Sequence, residues 1–189
     1  AGLARMKAVA PELALVQFVD GDCTLAPDWL AKSIPFLNAH PDVAVVCGRR
    51  RERFPEASLF NRLCDREWDT PVGEALACGG DALMRISALS EVGGYRDDLI
   101  AGEEPELCVR LREKGHRIWR LDAEMTLHDA AMTRFGQWRR RCERAGHAFA
   151  EVSYLHRHSP FGIWAAETRR ALLWAGAAPA AILLSVAVS

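Results

Sequence analysis

Along the chain, short apolar runs alternate with stretches whose hydrophobic residues recur at helical spacing. That alternation predicts an α/β fold. The first run, residues 13–22 (LALVQFVDGD), is mostly apolar and stops at Asp20 and Asp22, either side of Gly21. A run of this length, rich in Val and aromatic residues, predicts a strand buried on both faces, as in a parallel sheet. Further strands are expected over 43–47, 82–85 and 117–121, with an extended piece over 125–128. Helices are expected over 1–10, 27–38, 59–68, 86–92, 103–114 and 135–150. In the second of these Pro27 suits a first turn, Trp29, Leu30, Ile34 and Leu37 share one side, and Pro35 should kink the second half. The glycines at 93–94 and 115 end two of the others.

The basic stretch 48–55 (GRRRERFP) reads as a loop. It is either a solvated charge run or a contact for phosphates or anionic lipid. Gly79-Gly80, ahead of Asp81, marks a tight turn or a close approach of backbone to ligand. Residues 171–188 carry no charge, follow Arg169-Arg170, and hold Trp174 near their start. Those flanks predict a membrane span with the arginines on the cytoplasmic side. The run is rich in alanine and contains Pro179, so a buried or re-entrant helix is the alternative.

At 189 residues, half of them hydrophobic and 26% charged, the chain is long enough for one domain with a core and an appendage. A net charge of -1 gives no reason to expect nucleic acid as a partner, and the arginine clusters lack interleaved aromatics. The six cysteines form no Cys-x-x-Cys pair, which fits reduced thiols in a cytosolic compartment better than a disulfide framework or a zinc site. The chain opens on Ala1 with no signal-peptide pattern, as a segment of a longer protein would.

Candidate chemistry gathers at strand ends. In open α/β sheets the ligand crevice lies beyond the carboxyl ends of the strands, where Asp20 and Asp22 are expected. Two such close carboxylates repel unless a cation lies between them. A hard divalent ion bridging to a phosphorylated substrate meets that need, while Asp-Gly-Asp as a plain turn is the alternative.

The order of motifs is strand–DxD, then Gly-Gly-Asp, a helix opening with Glu-Glu, a strand ending in His, and Gln-x-x-Arg. In that order the chain resembles the family 2 glycosyltransferases of GT-A fold, especially membrane-bound ones related to polysaccharide synthases. The resemblance covers roughly residues 1–150. Asp20-Gly21-Asp22 matches the family's DxD motif, which holds a divalent cation (Mg²⁺ or Mn²⁺) against the diphosphate of a nucleotide sugar. Cys78-Gly79-Gly80-Asp81 is similar to a glycine-containing segment on the acceptor side. Gly93-Gly94-Tyr95 through Leu111 resembles a "GGY…EDxEL..RL" stretch, in which the second acid is the general base and maps to Glu104.

The resemblance implies a mixed, mostly parallel Rossmann-like sheet flanked by helices. It implies an inverting, metal-assisted transfer of a sugar to a hydroxyl acceptor, lipid-linked or polysaccharide. Glu104 would be catalytic, with Asp20, Asp22 and His128 on the metal. Gly79, Gly80, Asp81, Glu103, Gln137, Arg140 and Arg141 would contact donor or acceptor. Residues 1–150 would form a partial catalytic domain, and 151–189 a membrane-interface segment with its span. The protein would sit at the inner membrane with its catalytic part cytoplasmic. Strands that grip the nucleotide base in the family precede this stretch, so residues 1–189 in isolation are expected to be inactive. Three departures stand out: Glu replaces the usual Asp base, Arg141 follows Gln137-x-x-Arg140 where processive members have Trp, and the base-binding strands are missing.

Two rival readings remain. Residues 19–25 (VDGDCTL) also resemble the first motif of haloacid-dehalogenase-type phosphatases, with Asp20 as nucleophile, although Lys114 and Asp97-Asp98 stand in the wrong order. The other rival is a membrane-anchored, non-catalytic remnant of a glycosyltransferase.

Overall fold

The computed structural model describes residues 2–188, leaving the side chains at 2–4, 7, 178, 181–184 and 186–188 outside the description. Helix α1 (Gly2–Val9) leads into β1 (Leu15–Phe18), and β2 (Cys23–Leu25) follows the Asp-Gly-Asp turn. Next come α2 (Trp29–Ala39), β3 (Val43–Glu52), α3 (Leu59–Glu67), β4 (Gly73–Ala75), β5 (Ala82–Arg85) and α4 (Ile86–Glu91). Then α5 (Glu103–Glu113), β6 (Arg117–His128), α6 (Phe135–Leu155) and α7 (Ala165–Val188) complete the chain.

The sheet runs β1-β5-β3-β6-β2, with β4 also on β6. The α/β class is as expected, but the sheet is mixed rather than mostly parallel. Only β3 and β6 pair in parallel among the described strands; β1–β5, β3–β5, β2–β6 and β4–β6 are antiparallel. β1 is therefore an edge strand with one buried residue, Val16, not a strand covered on both faces. The double-sided burial belongs to β3, where Val43, Ala44, Val45, Val46 and Cys47 are all inside. They pack with Trp29, Leu37, Met84, Leu89, Leu107, Leu111 and Ile118 into one core. Gly48 permits this packing, because a Cβ there would meet the Ala123 carbonyl at 2.6 Å and the Trp29 ring at 2.7 Å.

The basic stretch after Gly48 is strand, not loop. β3 continues to Glu52 alongside β6, which itself joins the two pieces expected over 117–121 and 125–128. Arginines tolerate that position because carboxylates meet them: Arg49 faces Asp65 and Asp69, and Arg51 faces Glu124. Arg49 is buried, so the run is not simply a solvated face. α2 starts at Trp29, so Pro27 precedes the helix, and α2 passes through Pro35 unbroken. Arg85 ties the end of α2 to the sheet by donating to the carbonyls of Leu37, His40 and Val43.

The boundary expected at residue 150 falls inside α6. Val152 of α6 packs with Val109 of α5 and Ile163 in a second, smaller apolar cluster. The membrane span expected over 171–188 is not supported. Among the described residues no helix is long and apolar enough to cross a membrane. Several side chains of 171–188 lie outside the described residues.

Candidate active site

The turn between β1 and β2 carries the two aspartates. The Cys23 N–H closes it on the Asp20 carbonyl at 3.0 Å. β2 then pairs with β6 so that Cys23 lies opposite His128. That register brings Asp22 beside the histidine, with His128 Nε2 at 3.3 Å from Asp22 Oδ2. The other ring nitrogen, Nδ1, is buried without a hydrogen bond and lies 3.9 Å from the buried Glu52 carboxylate. Trp68 packs edge-on against the His128 ring. A histidine facing an aspartate, with a buried carboxylate 3.9 Å behind its other nitrogen, has the placement of a metal ligand without the hydrogen bond that would fix its tautomer. Asp22, Cys23 and His128 offer three ligand atoms within 4.8 Å of one another. On donor chemistry, this corner fits a divalent cation.

Asp20 is engaged differently. Arg50 Nη2 sits 3.0 Å from Asp20 Oδ2 and 2.9 Å from Asp81 Oδ2. Asp81 is fully buried, accepting from the Asp20 N–H at 2.8 Å and from the Thr126 hydroxyl at 2.7 Å. Burial works against the Arg50 charge, but Asp81, Cys23 and Asp20 outweigh it and raise its pKa. Burial, then a hydrogen bond to Asp81, push the Cys23 thiol up to about 12. Arg50 thus compensates the charge of Asp20, whereas Asp22 faces His128.

Gly80 shows why glycine is required here. Its φ is +88°, and a Cβ would lie 3.0 Å from Arg50 Nη2 and 3.2 Å from Asp20 Oδ2. The turn brings the backbone close to the Arg50 and Asp20 side chains. Two residues earlier, Cys78 donates its N–H to Glu104 Oε1 at 2.6 Å. The thiols of Cys78 and Cys108 point at the same oxygen, at 2.8 and 2.9 Å. Glu104 is buried in the first turn of α5, and Oε2 takes none of these bonds. Segment 78–81 therefore touches Glu104 at one end and Asp20 at the other. Four residues span at most about 14 Å, so the two carboxylates share one neighbourhood.

Two openings border it. An inner cavity of about 250 Å³ is lined by Cys78, Gly79, Glu104, Arg50 and Trp68, among others. An outer cleft of about 830 Å³ holds Asp22, His128, Gln137, Arg140 and Arg141, and also Arg50 and Trp68. These last two residues join the openings. Of the expected site residues, Asp20, Gly80, Asp81 and Glu103 line neither opening, and Glu103 is exposed. Gln137 lines the outer cleft with its amide engaged in capping α6: Oε1 accepts from the Thr133 and Arg134 N–H groups, and Nε2 donates to the Ala131 carbonyl. Arg141 pairs with Glu67 at 2.7 Å. Arg50, Glu52 and Trp68 were not singled out from sequence. The basic run was the only signal for Arg50, and nothing local marked the other two.

No family model matches the chain. A probable glucomannan 4-beta-mannosyltransferase 9 of Oryza sativa subsp. japonica is 32% identical over 111 residues, 53% of this chain and 21% of that protein. The succinoglycan biosynthesis protein ExoA of Rhizobium meliloti is 45% identical over 51 residues, 27% of this chain and 16% of ExoA. Among solved structures, the mannosyltransferase PcManGT from Pyrobaculum calidifontis, in complex with GDP-Man and Mn²⁺, superposes with a TM-score of 0.55. It is 23% identical and covers 96% of this chain and 57% of that one. The matched stretch is about a fifth of the length of the rice relative. Over about half its length the chain is similar to glycosyltransferases of glycan synthesis, and its fold is that of a solved mannosyltransferase.

Proposed function

We propose that this chain carries the catalytic cleft of an inverting glycosyltransferase, which moves a sugar from a nucleoside-diphosphate sugar to a hydroxyl acceptor in glycan synthesis. The observation that carries the reading is segment 78–81, which ties a buried carboxylate, Glu104, to the Asp20–Asp22 turn. Glu104 is held by three donors on Oε1, leaving Oε2 to accept the proton of the acceptor hydroxyl as that oxygen attacks the anomeric carbon. Asp22 and His128 would hold a divalent cation, Mg²⁺ or Mn²⁺, with Glu52 behind the histidine. When bound, that cation neutralises charge building on the departing diphosphate. Arg140 and Arg141 line the same cleft, where Arg140 adds positive charge and Arg141 is held by Glu67. Asp20 and Asp81 shape the turn through Arg50, and Gly79 and Gly80 let the backbone run close to the donor.

GDP-mannose is the first donor to test, since relatives of two kinds bear mannosyltransferase names. The acceptor, lipid-linked or polysaccharide, would be met at the cytoplasmic face of the inner membrane. There the exposed Leu172, Leu173 and Trp174 of α7, beside Arg169 and Arg170, would rest on the bilayer surface. The phosphatase reading is disfavoured because Asp20, its nucleophile, is compensated by Arg50.

The test is transfer of radiolabelled sugar from a panel of nucleotide sugars by the full-length protein in membranes. Metal-dependent transfer with inversion at the anomeric carbon is expected. Donor binding without any transfer would favour the non-catalytic remnant instead.

A further inference from the structure

Two thiols meet at the carboxylate proposed as the base. Cys78 and Cys108 direct their sulfurs at one oxygen of Glu104, and the two sulfurs are 3.8 Å apart. All three residues are buried. Glu104 and Cys108 are four residues apart on α5, which stacks them on one face of the helix. Cys78 arrives from the segment after β4, fixed by its own N–H bond to Glu104. The inner cavity, with Cys47 also on its wall, opens beside them.

We propose that Cys78, Cys108 and Glu104 form a binding site for a thiophilic divalent cation of the zinc–cadmium class, and that its occupation takes Glu104 out of proton transfer. Two sulfurs and one carboxylate oxygen are a donor set that suits zinc. The 3.8 Å between the sulfurs is close to the edge of a tetrahedron built on zinc–sulfur bonds of about 2.3 Å. The two sulfur–oxygen contacts, 2.8 and 2.9 Å, are hydrogen-bond distances that open to the tetrahedral edge of about 3.5 Å as the thiol protons leave, and the cavity leaves room for water as a fourth ligand.

Hard cations such as Mg²⁺ seek oxygen ligands and do not compete well for two thiolates. The site therefore differs in kind from the Asp22–His128 corner, which has at most one sulfur, Cys23. Binding is an exchange without redox change. Two S–H bonds break, two metal–sulfur bonds form, and two protons leave to solvent. Burial raises both thiols, Cys108 to about 11, so the exchange is favoured as pH rises. Arg50 and Arg120 also line the cavity, but Asp20, Asp81 and Asp69 compensate their charges.

The binding stands on geometry alone; only the loss of proton transfer rests on Glu104 being the base. The experiment titrates Cd²⁺ into the reduced, metal-free protein carrying Cys23→Ser, and reads thiolate-to-cadmium charge-transfer absorbance. One equivalent is expected to give a two-thiolate band. The band should fall by at least half in Cys78→Ser and in Cys108→Ser, and survive Asp22→Ala. A missing band, or one unchanged by Cys108→Ser in a protein with native circular dichroism, overturns the site. In a parallel assay Zn²⁺ should inhibit sugar transfer in the parent and much less, relative to its own rate, in Cys108→Ser. A cadmium band without inhibition overturns the withdrawal of Glu104 and leaves the site standing.

Discussion

Cys78 donates its backbone N–H to Oε1 of Glu104 at 2.6 Å, across 26 positions of sequence. Since Gly80, two residues on, presses against Asp20, this bond fixes the distance between the carboxylate on α5 and the turn after β1. The consequences of that connection can be measured.

Gly80→Ala is expected to damage both ends of the segment. Its φ of +88° is the left-handed region, and the new methyl meets Arg50 and Asp20. A non-glycine residue held there costs about 1–3 kcal/mol. Chemical denaturation should show that loss, and donor affinity should fall with it. Unchanged stability and affinity would mean that the segment is free to move.

Asp81→Ala is expected to be the most destabilising of the acidic substitutions. Asp81 is fully buried and holds Arg50, Thr126 and the Asp20 N–H at once. Removing one partner of a buried ion pair costs about 3–5 kcal/mol, because the other charge is left uncompensated. A drop in the urea midpoint of that size checks it, whereas an effect below ~1 kcal/mol would show that Arg50 finds solvent instead.

Asp22→Ala and His128→Ala should each weaken the Mn²⁺-dependent part of nucleotide-sugar binding and leave the metal-free part alone. Calorimetry with and without Mn²⁺ separates the two. The variants should not be additive if both act through one ion.

Alkaline pH should destabilise the protein more than its lysine content alone accounts for. Burial raises Cys47 to about 12 and Cys108 to about 11 from the ordinary 9.0. For each thiol the folded state holds its proton more tightly than the unfolded chain does. Its contribution is therefore complete below pH 9 and is lost as pH climbs through about 11 to 12. Urea midpoints at pH 8 and above pH 10 measure the fall, and Cys47→Ala should flatten it.

Much of this was legible along the chain. The apolar runs marked β3 and β5, glycines marked the ends of α4 and α5, and the order of acidic motifs pointed to the family. Pairing direction was not legible, because an apolar run is the same read parallel or antiparallel. β1 was expected buried on both faces, but it lies at the edge of the sheet with one buried residue. The arginines at 49–51 read as loop because their partners, Asp65, Asp69, Asp20, Asp81 and Glu124, are distant in sequence. Asp81, expected at a ligand, is fully buried and bound to Arg50, Thr126 and the Asp20 N–H. Glu52 and Trp68 gained meaning only when β6 brought His128 beside them.

The most direct measurement is single-turnover sugar transfer by Glu104→Gln alongside its donor affinity. Glutamine keeps the shape and the acceptor oxygen for Cys78 and Cys108 but takes no proton. Turnover should fall by about 10²–10⁴-fold with donor affinity within a few-fold of the parent. A Glu104→Gln protein that transfers sugar at the parent rate would contradict the assignment of this carboxylate as the base.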